Sequence, residues 1–458
     1  LLQKQQEPRR MKKRLAESSI LFISITKWVV LSSVIGLVVG LSTSFFLKLL
    51  EAASSFSGSY NYYFLALPAA MFLSALVIKL APGAEGHGTE KVIEAVHKRS
   101  GKMSPAIVPV KLLATLLTIT AGGSVGKEGP CAQIGGGLSS VIADLFHFDD
   151  RDRRKLVICG ISAGFAAVFG APVAGAIFGV EVLLVGGILY EVLLPSIIAG
   201  IVSYEVAFAF GVPFFYKNIA MTARFTPATL FWMFTAGIFF GICSIIFIEF
   251  LNGGKKLSSK IKLSAPLKGF LGGLILIALT FVFSKQYLGL GLGTIEGALH
   301  GAKIVWYAFL IKIIFTSITL NMGGSGGIVT PLFFVGASSG VLFASFSGLD
   351  PALCAAVGMV SVLAGAANTP IAAVILAMEL FGADIVPMCA VAAVVSFLMT
   401  GHRSVYPSQK IALNKSASIY VKHGETLEDV IPMAKIKLGS VTDRLLKIIK
   451  KIYGWGKK

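Results

Sequence analysis

GGSVGKEGP, residues 122–130, sets an acid, Glu128, and a base, Lys127, among glycines in the middle of a strongly apolar chain. The stretch has a partner, GGSGGIVTP at 323–331, in which Gly122, Gly123, Ser124, Gly126 and Pro130 find Gly323, Gly324, Ser325, Gly327 and Pro331 at an offset of 201. Downstream, GISAGFAAVFGAPVAGAIFGVE (160–181) aligns without a gap to GMVSVLAGAANTPIAAVILAME (358–379), matching Pro172 to Pro370 and Glu181 to Glu379 at an offset of 198. Two alignments at nearly one offset predict a duplicated unit. The matched Pro and Glu positions argue against chance similarity in a chain with 50 glycines.

The 458 residues are 55% hydrophobic and 14% charged, against roughly 45–50% and 25% for soluble domains. Mean hydropathy is +0.80. Apolar stretches such as TKWVVLSSVIGLVVGLSTSFFLKLL (26–50) and FWMFTAGIFFGICSIIFIEFL (231–251) reach the length that crosses a bilayer as a helix. The composition is that of an all-α polytopic membrane protein, which excludes a soluble enzyme. The net charge of +18 gathers at the ends, in KQQEPRRMKKR (4–14) and KIKLGSVTDRLLKIIKKIYGWGKK (435–458). Both ends therefore read as cytoplasmic, beside anionic lipid, and no aromatic-interleaved basic surface suggests nucleic acid. Cys131, Cys159, Cys243, Cys354 and Cys389 lie scattered in apolar segments and read as small packing residues. The six histidines form no i, i+3 or i, i+4 pair, so no metal cluster is expected. The N-terminal segment lacks a signal-peptide pattern.

With both ends on one side the number of crossings is even, and two equivalent halves with an odd number each would be inverted relative to one another. The boundaries expected are a basic segment 1–25, a first transmembrane repeat 26–210, a second repeat 211–410 and a basic tail 411–458. Inverted repeats place substrate sites near the midplane, where interrupted helices meet. SAGFAAVFGAPVAGAIFGVEVLLVGG (162–187) carries Gly and Pro every few residues and predicts such interruption, which survives at membrane depth only where it is buried in protein or lines a polar cavity. A helix starting inside the membrane presents unpaired N–H groups and about half a positive charge. GKEGP and GGIVTP each run from glycine through proline into an apolar segment, so two such starts aimed at one place would hold a small anion.

These residues carry a family resemblance. GKEGP followed by CAQIGGGLSSVIADLF (131–146), AAVFGAPVAGAIFGVEVLL (166–184), GGIVTP and GHRSVYPSQ (401–409) resembles the CLC chloride channel and transporter family over roughly residues 30–410. The resemblance implies a homodimer with an independent anion pore in each subunit. It implies that Glu128 is the gating glutamate, whose carboxylate competes with the anion and leaves on protonation. It also implies that backbone amides of Gly126 and Lys127, and of Gly327, Ile328 and Val329, surround the anion, and that the Tyr406 hydroxyl donates to it.

The chain departs from the family pattern at three places. Val329 stands where the family usually has phenylalanine, which bears on pore width. In GHGTEK (86–91), the only match to a G-S-G-I-P-E motif, His87 takes the serine position beside Gly88 and the proline is missing. His87 could donate from its ring, charge at low pH or face a loop. Val182 falls where exchangers often carry an internal proton-relaying glutamate, and valine binds no proton. Glu181 and Glu379 read as structural hydrogen-bond partners. The 52 residues after Tyr406 are too few for paired nucleotide-sensing domains, and Val441–Tyr453 reads as a basic helix on the membrane surface.

The expectation is a protein of a prokaryotic cell membrane that conducts chloride or a similar small anion passively, with a proton acting at Glu128 and no cofactor. A chloride/proton antiporter on the same fold is the alternative. An intramembrane enzyme would need a nucleophile–base pair or metal ligands at depth, and neither is evident.

Overall fold

Proline and glycine set where the helices of this chain start and stop. The computed structural model describes residues 2–214, 226–430, 433–434, 439 and 441–453, and among them are seventeen α-helices. The first eight are α1 (Leu2–Gly58), α2 (Leu67–Ile78), α3 (Thr89–Lys98), α4 (Ile107–Thr120), α5 (Glu128–Leu145), α6 (Asp150–Phe169), α7 (Pro172–Glu181) and α8 (Tyr190–Ala209). The next eight are α9 (Pro227–Lys260), α10 (Ala265–Phe283), α11 (Leu292–Leu299), α12 (Ala308–Asn321), α13 (Val329–Ser347), α14 (Pro351–Ala367), α15 (Pro370–Phe381) and α16 (Val386–Thr400). A final helix, α17 (Val441–Tyr453), covers the stretch read as a basic surface helix. The rest of that tail, at 435–438, 440 and 454–458, lies outside the described residues.

The second set of eight repeats the first in order and in its local signals. Asp149 caps α6 by accepting from Asp152 N at 2.7 Å, and Asp350 caps α14 by accepting from Leu353 N at 3.0 Å. Gly170 and Asn368 end those helices in the left-handed conformation. Proline opens both α7 and α15. Six segments are long and apolar enough to cross a membrane: Ala16–Gly58, Tyr190–Ala209, Pro227–Lys260, Ala265–Phe283, Val329–Ser347 and Ala383–Thr400. Shorter apolar helices, among them α4, α7, α12, α14 and α15, are the broken pieces that the Gly and Pro spacing predicts.

Contacts between the two sets are exchanged as around a two-fold axis. Glu181 accepts from Ile371 N and Ala372 N in the first turn of α15, at 3.0 and 2.8 Å, while Glu379 accepts from Val173 N and Ala174 N in the first turn of α7, at 3.1 and 2.8 Å. Each carboxylate satisfies orphan donors of the other half, the structural role read for this pair. Ser124 pairs with Thr316 and Thr115 with Ser325, hydroxyl to hydroxyl. Gly126 and Gly327 form an antiparallel bridge, with N–H to carbonyl distances of 2.7 and 2.6 Å in the two directions.

Glycine also lets the helices within each half touch. A Cβ on Gly135 of α5 would fall 2.2 Å from the Gly160 carbonyl of α6, and a Cβ on Gly336 of α13 would fall 2.3 Å from the Gly358 carbonyl of α14. The five cysteines are free and buried. Gly135→Ala forces a backbone shift, so it is expected to cost about 1–3 kcal/mol and to lower the melting temperature of the detergent-solubilised protein. Gly293→Ala in α11, where a Cβ meets open space, is expected to be neutral or to stabilise by helix propensity. Equal melting of the two variants would contradict this packing.

Candidate functional site

Glu128 is the first residue of α5, is 3% exposed, and reaches across to the start of α13. Its Oε2 accepts from Thr330 N at 3.2 Å, and its Oε1 accepts a short hydrogen bond from the Thr330 hydroxyl. Thr330 is the second residue of α13, so the carboxylate takes up an N–H that has no partner inside the helix. Two helix starts thus converge on one negative group, the placement their partial charges favour. Gly126 lacks a side chain here for a local reason, because a Cβ would lie 2.4 Å from Glu128 Oε2.

The other residues singled out in this region are brought together, with roles that differ in detail. The amides of Gly126 and Gly327 bond to each other's carbonyls, so in this state neither faces the carboxylate. Lys127 and Ile328 are the N-cap residues of α5 and α13, and buried Val329 opens α13. Gly88, at φ 79°, is the N-cap of α3, and a Cβ there would meet the Gly129 carbonyl at 2.5 Å. The loop that carries His87 therefore lies directly on the first turn of α5.

Tyr406 is fully buried, and its ring centroid lies 5.6 Å from that of His87. Thr89 is within reach of its hydroxyl. The Tyr406 hydroxyl, the Thr89 hydroxyl and His87 Nδ1 are all buried without a protein hydrogen-bond partner. Buried polar groups are nearly always bonded, so these three unpartnered atoms stand out in a segment where His87 and Tyr406 lie side by side. Each can donate, which suits an anion. Burial and the charge of Lys111 hold the His87 imidazole at about 3, far below its ordinary value. His87 is thus held in its neutral form and offers a ring dipole rather than a charge.

Tyr406 is held from two sides. Gln409 Nε2 donates to the carbonyls of Val182 and Ala367 at 2.7 and 2.8 Å, and its Oε1 accepts from Asn368 Nδ2 at 3.0 Å. Lys415 Nζ donates to Asn368 Oδ1 and to the Phe397 carbonyl near the end of α16, both at 2.6 Å. From the opposite side Glu90 of α3 accepts from Ser408 N at 3.0 Å and from its hydroxyl at 2.5 Å. Residues Leu184–Val185 (β1) pair in parallel with Lys410–Ile411 (β2) just beyond the tyrosine.

A cavity of about 550 Å³ adjoins this cluster, lined by His87, Glu90, Ser404 and Ser408 on the inner side and by Lys98, Lys255 and Glu428 among its outer residues. Val182 is fully buried and does not line it. No group of three or more potential metal ligands gathers among the described residues.

Sequence reading missed Thr330, Thr89, Glu90 and Lys111. Lys111 was detectable, as an ionisable residue inside the apolar run VPVKLLATLLTIT. It is fully buried and donates to the carbonyls of Ala84 and Gly86 at 3.2 and 2.6 Å, fixing the loop before His87. Lys312 does the same in the second half, toward Tyr287 and Gly289.

Comparison with known proteins agrees with this geometry. The family model described as voltage gated chloride channel matches residues 69–401. A protein of Pseudomonas syringae pv. tomato named chloride/fluoride channel protein is 33% identical over 420 residues, covering 90% of this chain and 91% of its own. An Escherichia coli protein named voltage-gated ClC-type chloride channel ClcB is 27% identical over 344 residues, covering 70% and 79%. Among solved structures, a CLC-type fluoride/proton antiporter superposes with a TM-score of 0.81 at 27% identity, covering 85% of this chain and 99% of its own. A slow cyanobacterial chloride/proton antiporter shares the fold, with a TM-score of 0.70 at 21% identity, 81% of this chain and 94% of its own. Helix order, the exchanged contacts and the residue matches lead to one conclusion: the chain is an integral membrane protein of the CLC family of anion channels and transporters.

Proposed function

We propose that this protein carries a small halide, chloride or fluoride, across the membrane in exchange for protons, with Glu128 as the group that anion and proton both address. The observation that carries this reading is the seat of the Glu128 carboxylate on the Thr330 amide and hydroxyl at the start of α13. A carboxylate there is a tethered anion in an anion position. Neutralising it removes the charge that the two helix starts attract, and a free anion can take the same donors. The second position on the route is the neutral donor set of His87, Thr89 and Tyr406, beside the cavity. One proton bound and one anion admitted at the same place is the elementary condition for coupling them.

The solved antiporter at 27% identity supports exchange. Passive conduction is the second reading, favoured by the valine at 182. The same reading includes two halves of opposite orientation, a basic N-terminus and tail on the cytoplasmic side, and a homodimer, on the strength of the exchanged contacts, the terminal charges and the family resemblance.

In proteoliposomes an imposed chloride or fluoride gradient is expected to drive protons uphill in the opposite sense, and Glu128→Gln is expected to abolish proton movement while raising anion flux at neutral pH. Anion flux without proton movement in the unaltered protein would leave the passive channel. Thr330→Val keeps the side-chain shape and removes the hydroxyl donor to the charged carboxylate, a bond of about 1.5–3 kcal/mol. Loss of that bond loosens the seat of the blocking group, so anion flux at neutral pH is expected to rise about tenfold or more. Unchanged anion flux in Thr330→Val would mean that Thr330 does not hold the blocking group.

A further inference from the structure

Exchange needs a proton route on the side of Tyr406 that faces the cavity, and Val182 supplies none. We infer that Glu90 is the carboxylate through which protons enter and leave on that side, a role that rests on the exchange reading above. Glu90 lines the cavity, and only one of its oxygens is committed, to Ser408. Its Oε2 is buried without a partner. A carboxyl oxygen in that position is costly as an ion and less costly as a neutral O–H. Ser408, which Glu90 holds, lies two residues from Tyr406, and both Glu90 and Glu128 are near enough to act electrostatically on the Tyr406 hydroxyl.

The charges around Glu90 leave it free to titrate. On its own helix Lys91 is paired with Glu94 at 3.2 Å. Across the cavity, Lys268 of α10 donates to the Ser258 carbonyl, Lys255 of α9 stands on the wall, and Glu428 lies on the C-terminal side. Glu85 and neutral His87 complete the near wall, Lys91 and Glu94 act on Glu90 with opposite sign, and among the described residues no cation forms an ion pair with it. Burial raises its carboxyl to about 7, against the lowering effect of the Ser408 bonds.

The transfers balance. A hydronium ion in the cavity gives its proton to the Glu90 carboxylate and is left as water. The Tyr406 hydroxyl can carry the proton onward by accepting it on its oxygen while giving up its own, so that the Glu90 O–H bond breaks as an O–H bond forms on Glu128, one carboxylate is regenerated and the other is neutralised. Return of Glu128 to its seat on Thr330 releases the proton on the far side.

Glu90→Gln separates this role from simple bracing of the Tyr406 loop, since the amide oxygen still accepts from Ser408 but cannot carry a proton between acids. In proteoliposomes under a chloride or fluoride gradient, Glu90→Gln is expected to reduce proton movement at least about tenfold while anion flux persists. Undiminished proton movement in Glu90→Gln, with coupling intact in the unaltered protein, overturns the role of Glu90 and leaves the exchange reading standing. Absence of proton movement in the unaltered protein ends both. Should Glu90→Gln fail to fold, Ser408→Ala gives the same decision: loss of a donor to the charged form raises the Glu90 carboxyl further, and the pH midpoint of proton movement is expected to shift up by about one unit. An unshifted midpoint rejects the assignment.

Discussion

The starts of α5 and α13 meet in the middle of the molecule, and the N–H groups there require acceptors that no water-filled surface provides. The Gly126–Gly327 bridge satisfies one pair of those groups and the Glu128 carboxylate satisfies another. Much of the architecture serves to hold that meeting point. The reciprocal bonds between Ser124 and Thr316 and between Thr115 and Ser325 pin the two loops, and Glu181 and Glu379 lock α7 and α15 to opposite halves. Because the carboxylate is attached to the chain while the demand for negative charge belongs to the helix ends, the function proposed above has a free anion take the place of Glu128 on the same donors.

The same principle accounts for how charge is handled nearby. Lys111 is buried and spends its hydrogen bonds on two loop carbonyls, which fixes the loop that carries His87. Burial above all keeps the His87 imidazole neutral, so the polar groups beside Tyr406 are uncharged. On the function proposed above, neutral donors would bind an anion without trapping it, whereas a fixed cation at the same point would hold it against release. Lys415 is placed with equal care, on Asn368 and the last turn of α16, where it steadies the segment that carries Tyr406.

Much of this was legible in the amino-acid sequence. The offset between GGSVGKEGP and GGSGGIVTP, with matched Pro172/Pro370 and Glu181/Glu379, foretold the recurrent helix order, because breaks at Gly and Pro are local chemistry. Glu128 was legible as an acid at a helix start in apolar surroundings. Thr330 was not, since its meaning depends on a carboxylate 202 residues away. The bonding of Gly126 to Gly327 was likewise hidden: each motif by itself offers free amides, and only their meeting uses them up. Glu90 was masked by a motif that departs from its family pattern, and its bond to Ser408 spans 318 residues.

The central claim is that a proton and an anion are linked through one carboxylate, and linkage is measurable at equilibrium. Calorimetric titration of the purified protein with chloride and with fluoride, repeated in buffers of different ionisation enthalpy, reads the protons taken up per anion bound. The account expects net proton uptake on anion binding in the unaltered protein and none in Glu128→Gln. Anion binding with no proton uptake in the unaltered protein would contradict it.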